Sequence, residues 1–220
     1  MPVSFPMSIA EFLDALPVKS VEFDLPEAVQ TSRTAGGEIL PEDIGTRLWQ
    51  GEVMLGRLLP YEALDAQALI DLMRGAGASF LAYHTRFPHP RQDPTGSIIA
   101  GASPQIAALD GGDARLISLK GLTPGYALTR GDYLSFTYGS NPLRYGLHRV
   151  QETQVLADGA GTTPLFEVIP PLEPGAVIDA AVTLGRAHCK AVIVPDSVQT
   201  GRQSKFLRDG MSFKFMQTLR

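Results

Sequence analysis

The stretch "GDYLSFTYGSNPLRYGLHRV", residues 131–150, brings Tyr133, Ser135, Arg144, Tyr145, His148 and Arg149 close together in the chain. A hydroxyl nucleophile needs a base within hydrogen-bond reach and donors for the developing oxyanion, and Ser135, His148 and the arginines are the residue types for that work. Their spacing points elsewhere. Leu134, Phe136 and Tyr138 alternate with Tyr133, Ser135 and Thr137, the period of a half-buried strand. Ser135 also lacks the sharp G-x-S-x-G elbow that exposes a nucleophile. The expectation is two strands broken at "GSNP", with alternate polar side chains facing solvent.

Other chemistry-bearing residues fare no better. His84 and His89, in "YHTRFPH", have no nearby Cys and no H-E-x-x-H spacing, so surface histidines in a loop are expected rather than metal ligands. His188 and Cys189 are adjacent, so on a strand they face opposite sides and cannot act as base and nucleophile. Cys189 reads as a small buried apolar residue. "TGRQSK" lacks the G-x-x-x-x-G-K-[ST] spacing of a phosphate loop, and Glu38, Glu42 and Asp43 sit in a polar stretch with no apolar cleft to shift their titration. Trp49, the only Trp, lies in a strand-like run and reads as core or interface. No catalytic, metal or cofactor site is expected.

The elements that carry these residues are mainly β. "MSIAEFLDAL" opens with a capping-box pattern, Ser8 and Glu11, and predicts a short helix ended by Pro17. "VKSVEFDL", "RTAGGEI" and "TRLWQGEVMLGRL" predict two or three strands, with Gly36-Gly37 in a hairpin turn. "PYEALDAQALIDLMRGAGA" predicts the principal helix, with Leu64, Ala68, Leu69, Leu72 and Met73 on its apolar face. "SFLAYHTR" returns to strand, and "FPHPRQDPTGS" predicts an exposed loop. Residues 98–119 are Ala/Gly-rich and carry no clear pattern. Short strands separated by turns follow, and these describe a small antiparallel barrel or sandwich. The tail reads as a hairpin across Asp209-Gly210, with Phe213 and Phe215 pointing inward.

A chain of 220 residues, 44% hydrophobic and 19% charged, is an ordinary globular protein of one or two domains. Its 19 Lys+Arg against 23 Asp+Glu, net −4, argue against tight sequence-independent binding to nucleic acid. One cysteine and an N-terminus without a basic, apolar signal pattern fit folding in a reducing cytoplasm. No apolar run approaches the roughly 20 residues of a membrane helix.

Taken together, "RTAGGEI…LWQGEV", "GLTPGYALTRGDYLSFTYG", "RYGLHRV", "ADGAGTTPLFEVIPPLEPGA", "AVTLGRAHCKAVIVP" and "GMSFKFMQTLR" resemble a family of phage and prophage tail proteins. These are of the distal tail, or baseplate-hub, type found in long noncontractile tails. The resemblance runs from about Thr34 to the C-terminus and is densest from Gly121 onward. It implies a non-enzymatic virion protein of the tail tip, made in the host cytoplasm. Such a protein forms a closed ring, usually a hexamer, that joins the tail tube protein to the hub or baseplate while DNA passes through its centre. It also implies a β-barrel ring domain, residues 1–115 plus 186–220 with one covering helix, and an inserted small oligonucleotide-binding-like barrel, residues 116–185. The C-terminal hairpin would pair back with strands of the first half. Arg47, Trp49 and Arg57 are the candidate subunit contacts, since Trp and Arg are favoured interface anchors. Two other classes remain open. One is a carbohydrate- or oligonucleotide-binding tail-tip module using Tyr133 and Tyr145 for stacking. The other is a hydrolase, should Ser135, His148 and a carboxylate share a cleft.

Overall fold

The computed structural model describes residues 3–220. In the first part of the chain, β1 (Val18–Asp24), β2 (Val29–Arg33), β3 (Ile39–Asp43) and β4 (Gln50–Leu55) precede the helix α1 (Pro60–Met73) and β5 (Phe80–Tyr83). A run of short strands follows: β6 (Gln105–Leu109), β7 (Leu116–Lys120), β8 (Ala127–Thr129), β9 (Tyr133–Tyr138), β10 (Arg144–Val150), β11 (Gln154–Leu156), β12 (Phe166–Ile169) and β13 (Val182–Thr183). The chain ends with β14 (His188–Ile193), β15 (Gln199–Gln203) and β16 (Arg208–Gln217). The fold is mainly β with one α-helix among the described residues, the principal helix of the sequence pattern.

One sheet, in the order β1-β4-β16-β14-β5 with β15 on β16, combines strands from both ends of the chain into a half-barrel. The C-terminal strand β16 pairs with β4, Phe213 opposite Val53 and Phe215 opposite Gly51, so the last strand closes onto the first third of the sequence. Met211, Phe213 and Phe215 alternate into a core with Phe12, Trp49, Ile70 and Phe80. Asp209-Gly210 is not the hairpin turn. It lies within β16, where Gly210 takes a left-handed φ of 77°, and the chain reverses instead at Ser204–Leu207, closed by the Ser204 N–H donating to the Leu207 carbonyl. A D-G pair fits a positive-φ irregularity in a strand as well as it fits a turn.

The helix packs on this half-barrel through Ala63, Ala66, Ile70 and Met73, whereas Leu64 and Leu72 of the expected face are exposed. The helix carries two apolar stripes. The stripe of Ala63, Ala66, Ile70 and Met73 faces the sheet, and Tyr61, Leu64 and Leu72 are left on the outside. The N-terminal segment forms the expected Ser8–Glu11 reciprocal bonds and buries Phe12, Leu13 and Leu16, but it stays a series of turns rather than a helix. Between the bridge that ties Met7 to Phe80 and the stop at Pro17 there is too little chain to repay helix nucleation.

The second sheet has the order β13-β9-β10-β12-β7-β6, and the bridge from Gln105 to Ala181 brings its two edges together into a nearly closed barrel. Its core contains Ile106, Ile117, Leu119, Leu134, Phe136, Phe166 and Val168, with Leu128 and Val155 added by the β8–β11 ribbon. This sheet starts at β6, ahead of residue 116, where the sequence places the boundary; Ala and Gly around it hide the strand's alternation.

The two sheets meet along the β9–β10 hairpin. Leu134, Phe136 and Tyr138 point into the barrel core, while Leu147 on the other face belongs to the half-barrel core. Two polar side chains of this hairpin do not face solvent: Ser135 is buried on the face covered by β14 and Trp49, and His148 is buried on the barrel face, stacked on Phe136. The Trp49 indole N–H donates to the Leu147 carbonyl at 2.7 Å, and the His188 N–H donates to the Ser135 Oγ at 3.1 Å.

One hairpin stands apart. β2 and β3 pair with each other and with no other strand, and the Gly36-Gly37 turn forms as expected, Gly37 with φ 85°. From Gln30 to Thr46 every residue is exposed, including Ile39, Leu40 and Ile44. This arm has no core of its own.

Candidate functional site

Where β1, β5, β9 and β10 come together, the two sheets enclose a cleft of about 540 Å³. Phe23 comes from the end of β1 and His84 from the residue after β5. Tyr133 and Arg149 are directly opposed in the β9–β10 register. The fourth wall is the loop after β5, which supplies Arg86, Phe87, His89 and Arg91.

That loop reads as exposed in the sequence, and it is a loop, but it is anchored at several points. Asp132, 6% exposed, accepts the Arg91 N–H at 2.9 Å and the Thr129 N–H and hydroxyl at 2.7 and 3.0 Å. Asp93, 2% exposed, accepts the Ile98 and Ile99 N–H groups, each at 3.0 Å. The Pro88 carbonyl accepts the Arg186 N–H. His89 sits in a slot beside Gly96 and Gly185: a Cβ on Gly96 would come within 2.6 Å of its ring. The histidine thus orders the loop rather than standing in solvent.

The lining is aromatic and cationic. The His84 ring lies 5.0 Å from Phe87, 5.8 Å from Tyr133 and 5.9 Å from Phe23, centroid to centroid. Burial pushes the His84 imidazole below its ordinary pKa, helped by the Arg86 and Arg149 charges. Burial raises the Tyr133 phenol, against the pull of Arg149. Arg149 lies over the Trp49 ring at 5.5 Å and Arg86 over Phe87 at 5.9 Å. None of the ion pairs among the described residues involves Arg86, Arg91 or Arg149. The Asp132 carboxylate is occupied by its three donors, so the cleft presents guanidinium groups and flat rings.

The residues singled out in the sequence are scattered. Ser135 pairs with Leu147 and His148 with Leu134, which puts the two side chains on opposite faces of the hairpin, and neither lines the cleft. His148 Nδ1 donates to the Pro170 carbonyl, 2.8 Å away, and the ring stacks on Phe136 at 5.2 Å. His188 contacts the Arg186 carbonyl at 3.0 Å, and Cys189 is fully buried with its thiol pushed upward by desolvation. Among the described residues no three His, Cys, Asp or Glu side chains gather as a metal site. Glu38, Glu42 and Asp43 are on the exposed arm.

Of the candidate contact residues, Trp49 is 0% exposed and has no surface to offer a neighbour. Its indole is committed to Leu147, so it belongs to the core, the other role its sequence context fits. Arg47 is half-buried and donates from Nε and a terminal nitrogen to the Pro26 and Leu25 carbonyls, clamping the two ends of the arm. Arg57 is exposed and pairs with Asp209 at 3.2 Å. The cleft itself is not singled out by sequence spacing, since its walls come from four separate segments. Its one local signal is "YHTRFPHPR", where rings and cations interleave.

No protein-family model matches the chain, and no curated protein matches it.

Proposed function

We propose that the chain is a structural subunit of a phage-type tail, a distal tail protein whose copies close into a ring, a hexamer, between the tail tube protein and the hub or baseplate. The observation that carries this reading is the β2–β3 arm. A two-stranded hairpin without a core is marginal in water, and this one exposes Ile39, Leu40 and Ile44 together with unpaired strand edges. A neighbouring copy would cover them. Head-to-tail contacts of this kind, an arm of one subunit on the body of the next, generate rings when the rotation closes. The outer stripe of α1, with Tyr61, Leu64 and Leu72 exposed, offers a second apolar surface for the same purpose. A net charge of −4 suits a lumen through which DNA slides without adhering.

The test is the mass of the purified chain over a range of concentrations together with electron microscopy. Closed rings with a lumen wide enough for duplex DNA support the reading. A chain that remains monomeric throughout speaks against it. A second reading, a tail-tip module that binds carbohydrate or oligonucleotide, is favoured by Tyr133 in the cleft rather than by Tyr145, whose ring packs 5.9 Å from His188.

A further inference from the structure

The cleft between the two sheets has the attributes of a small-molecule site, with three arginines in its lining. Its volume, about 540 Å³, lies in the range of ligand pockets. Arg86, Arg91 and Arg149 line it and none of them is in an ion pair among the described residues; Arg91 donates to the Arg130 carbonyl at 3.3 Å, and the Asp132 carboxylate that also lines the cleft accepts from the Arg91 N–H and from Thr129. Phe87 is 58% exposed at its rim, and Tyr133 forms its floor beside Arg149. His84 and His89 each hold a buried Nδ1 without a hydrogen-bond partner at its wall. The loop that carries Arg86, Phe87 and Arg91 is fixed by buried Asp93 and Asp132, so the groups are held in place before anything binds.

We infer that this cleft binds a small ring-shaped molecule bearing a phosphate or carboxylate, the anion held by Arg149, Arg86 and Arg91 and the ring lying against Phe87 and Tyr133. Guanidinium groups suit planar, bidentate recognition of either anion, and aromatic side chains supply faces for a base or a sugar ring. The same chemistry is found in a nucleotide and in an acidic sugar. This inference does not rest on the tail-ring reading, since the cleft is complete within one chain.

The experiment is calorimetric titration of the full chain with AMP and with glucuronic acid, against adenosine, glucose and inorganic phosphate as controls. At least one of the two anionic ring compounds should bind, at least about tenfold more tightly than its neutral counterpart and more tightly than phosphate alone. AMP binding assigns a nucleotide, and glucuronic acid binding an acidic sugar. Arg149→Gln and, separately, Arg86→Gln at the exposed rim should each weaken it by about tenfold. Phe87→Ala should weaken it about fivefold or more without changing the response to phosphate. Failure of both anionic compounds to bind overturns the inference, as does equal binding of the neutral controls or of phosphate alone. Full binding by both arginine variants also overturns it. Each outcome is independent of whether the chain is a monomer or a ring.

Discussion

The Trp49 indole N–H donates to the Leu147 carbonyl at 2.7 Å, a buried bond between the residue that leads into β4 of the half-barrel and the β9–β10 hairpin of the nearly closed barrel. With the Gln217 side chain, which accepts the Trp49 backbone N–H at 3.1 Å and donates to the Tyr145 carbonyl at 3.2 Å, it fixes the two sheets on each other.

Trp49→Phe keeps an aromatic ring in the core but leaves the Leu147 carbonyl without this donor. The expected loss is roughly 1–3 kcal/mol of folding stability, read from the denaturant midpoint. Trp49→Ala removes the ring as well and should cost about 3–5 kcal/mol. Because Trp49 has no exposed surface, Trp49→Phe should not change the oligomeric state. A folded Trp49→Phe protein that dissociates would return this residue to the interface.

Arg47 ties the base of the arm by donating to the Leu25 and Pro26 carbonyls. Arg47→Ala should loosen residues 27–46 while leaving both cores intact. Limited proteolysis with an enzyme that cuts after Glu should accelerate at Glu27, Glu38 or Glu42, with little change in the thermal midpoint.

His148 is buried against Phe136, and burial pushes its pKa down to about 4 despite the contact with Pro170. The unfolded chain takes up this proton near pH 6.5 and the folded chain only near pH 4, so between these values the unfolded state binds more protons. Stability from this residue is full above about pH 6.5 and declines as the pH falls towards 4, by roughly 3 kcal/mol in all. Denaturant titrations at several pH values should show the slope, and His148→Phe should flatten it. An unchanged slope in the variant would place the effect elsewhere.

Cys189 is fully buried in the half-barrel core, and desolvation raises its thiol well above the ordinary range. An aromatic disulfide reagent should label it only on unfolding, so the native labelling rate should follow the denaturant dependence of global opening. Rapid labelling of the native chain would show that β14 opens separately.

Local patterns that match one burial environment were readable before the structure. The alternation around Phe213 and Phe215 located a core strand, and Gly36-Gly37 located a turn. The helix between Pro60 and Met73 was equally plain, but its buried face was not, because Leu64 and Leu72 outweigh Ala63 and Ala66 in any apolar count. Which stripe is covered depends on the partner surface, and that is not written in the helix's own period. The β9–β10 hairpin was legible as strands but not as a doubly covered pair: Ser135 is buried by a contact between sheets that no local period reports, and His148 is a polar residue on the barrel face, beside Phe136. The cleft was hidden for the same reason, since Tyr133 and Arg149 meet His84 and Phe87 only once the C-terminal strands have brought the two sheets together.

The proposed ring is tested most directly by comparing the full chain with a variant in which residues 27–45 are replaced by a short Gly-Ser link. Mass in solution and electron microscopy would be read on both. The account predicts closed rings for the full chain and folded monomers for the shortened one. Rings that persist without the arm, or a full chain that is monomeric at every concentration, would contradict it.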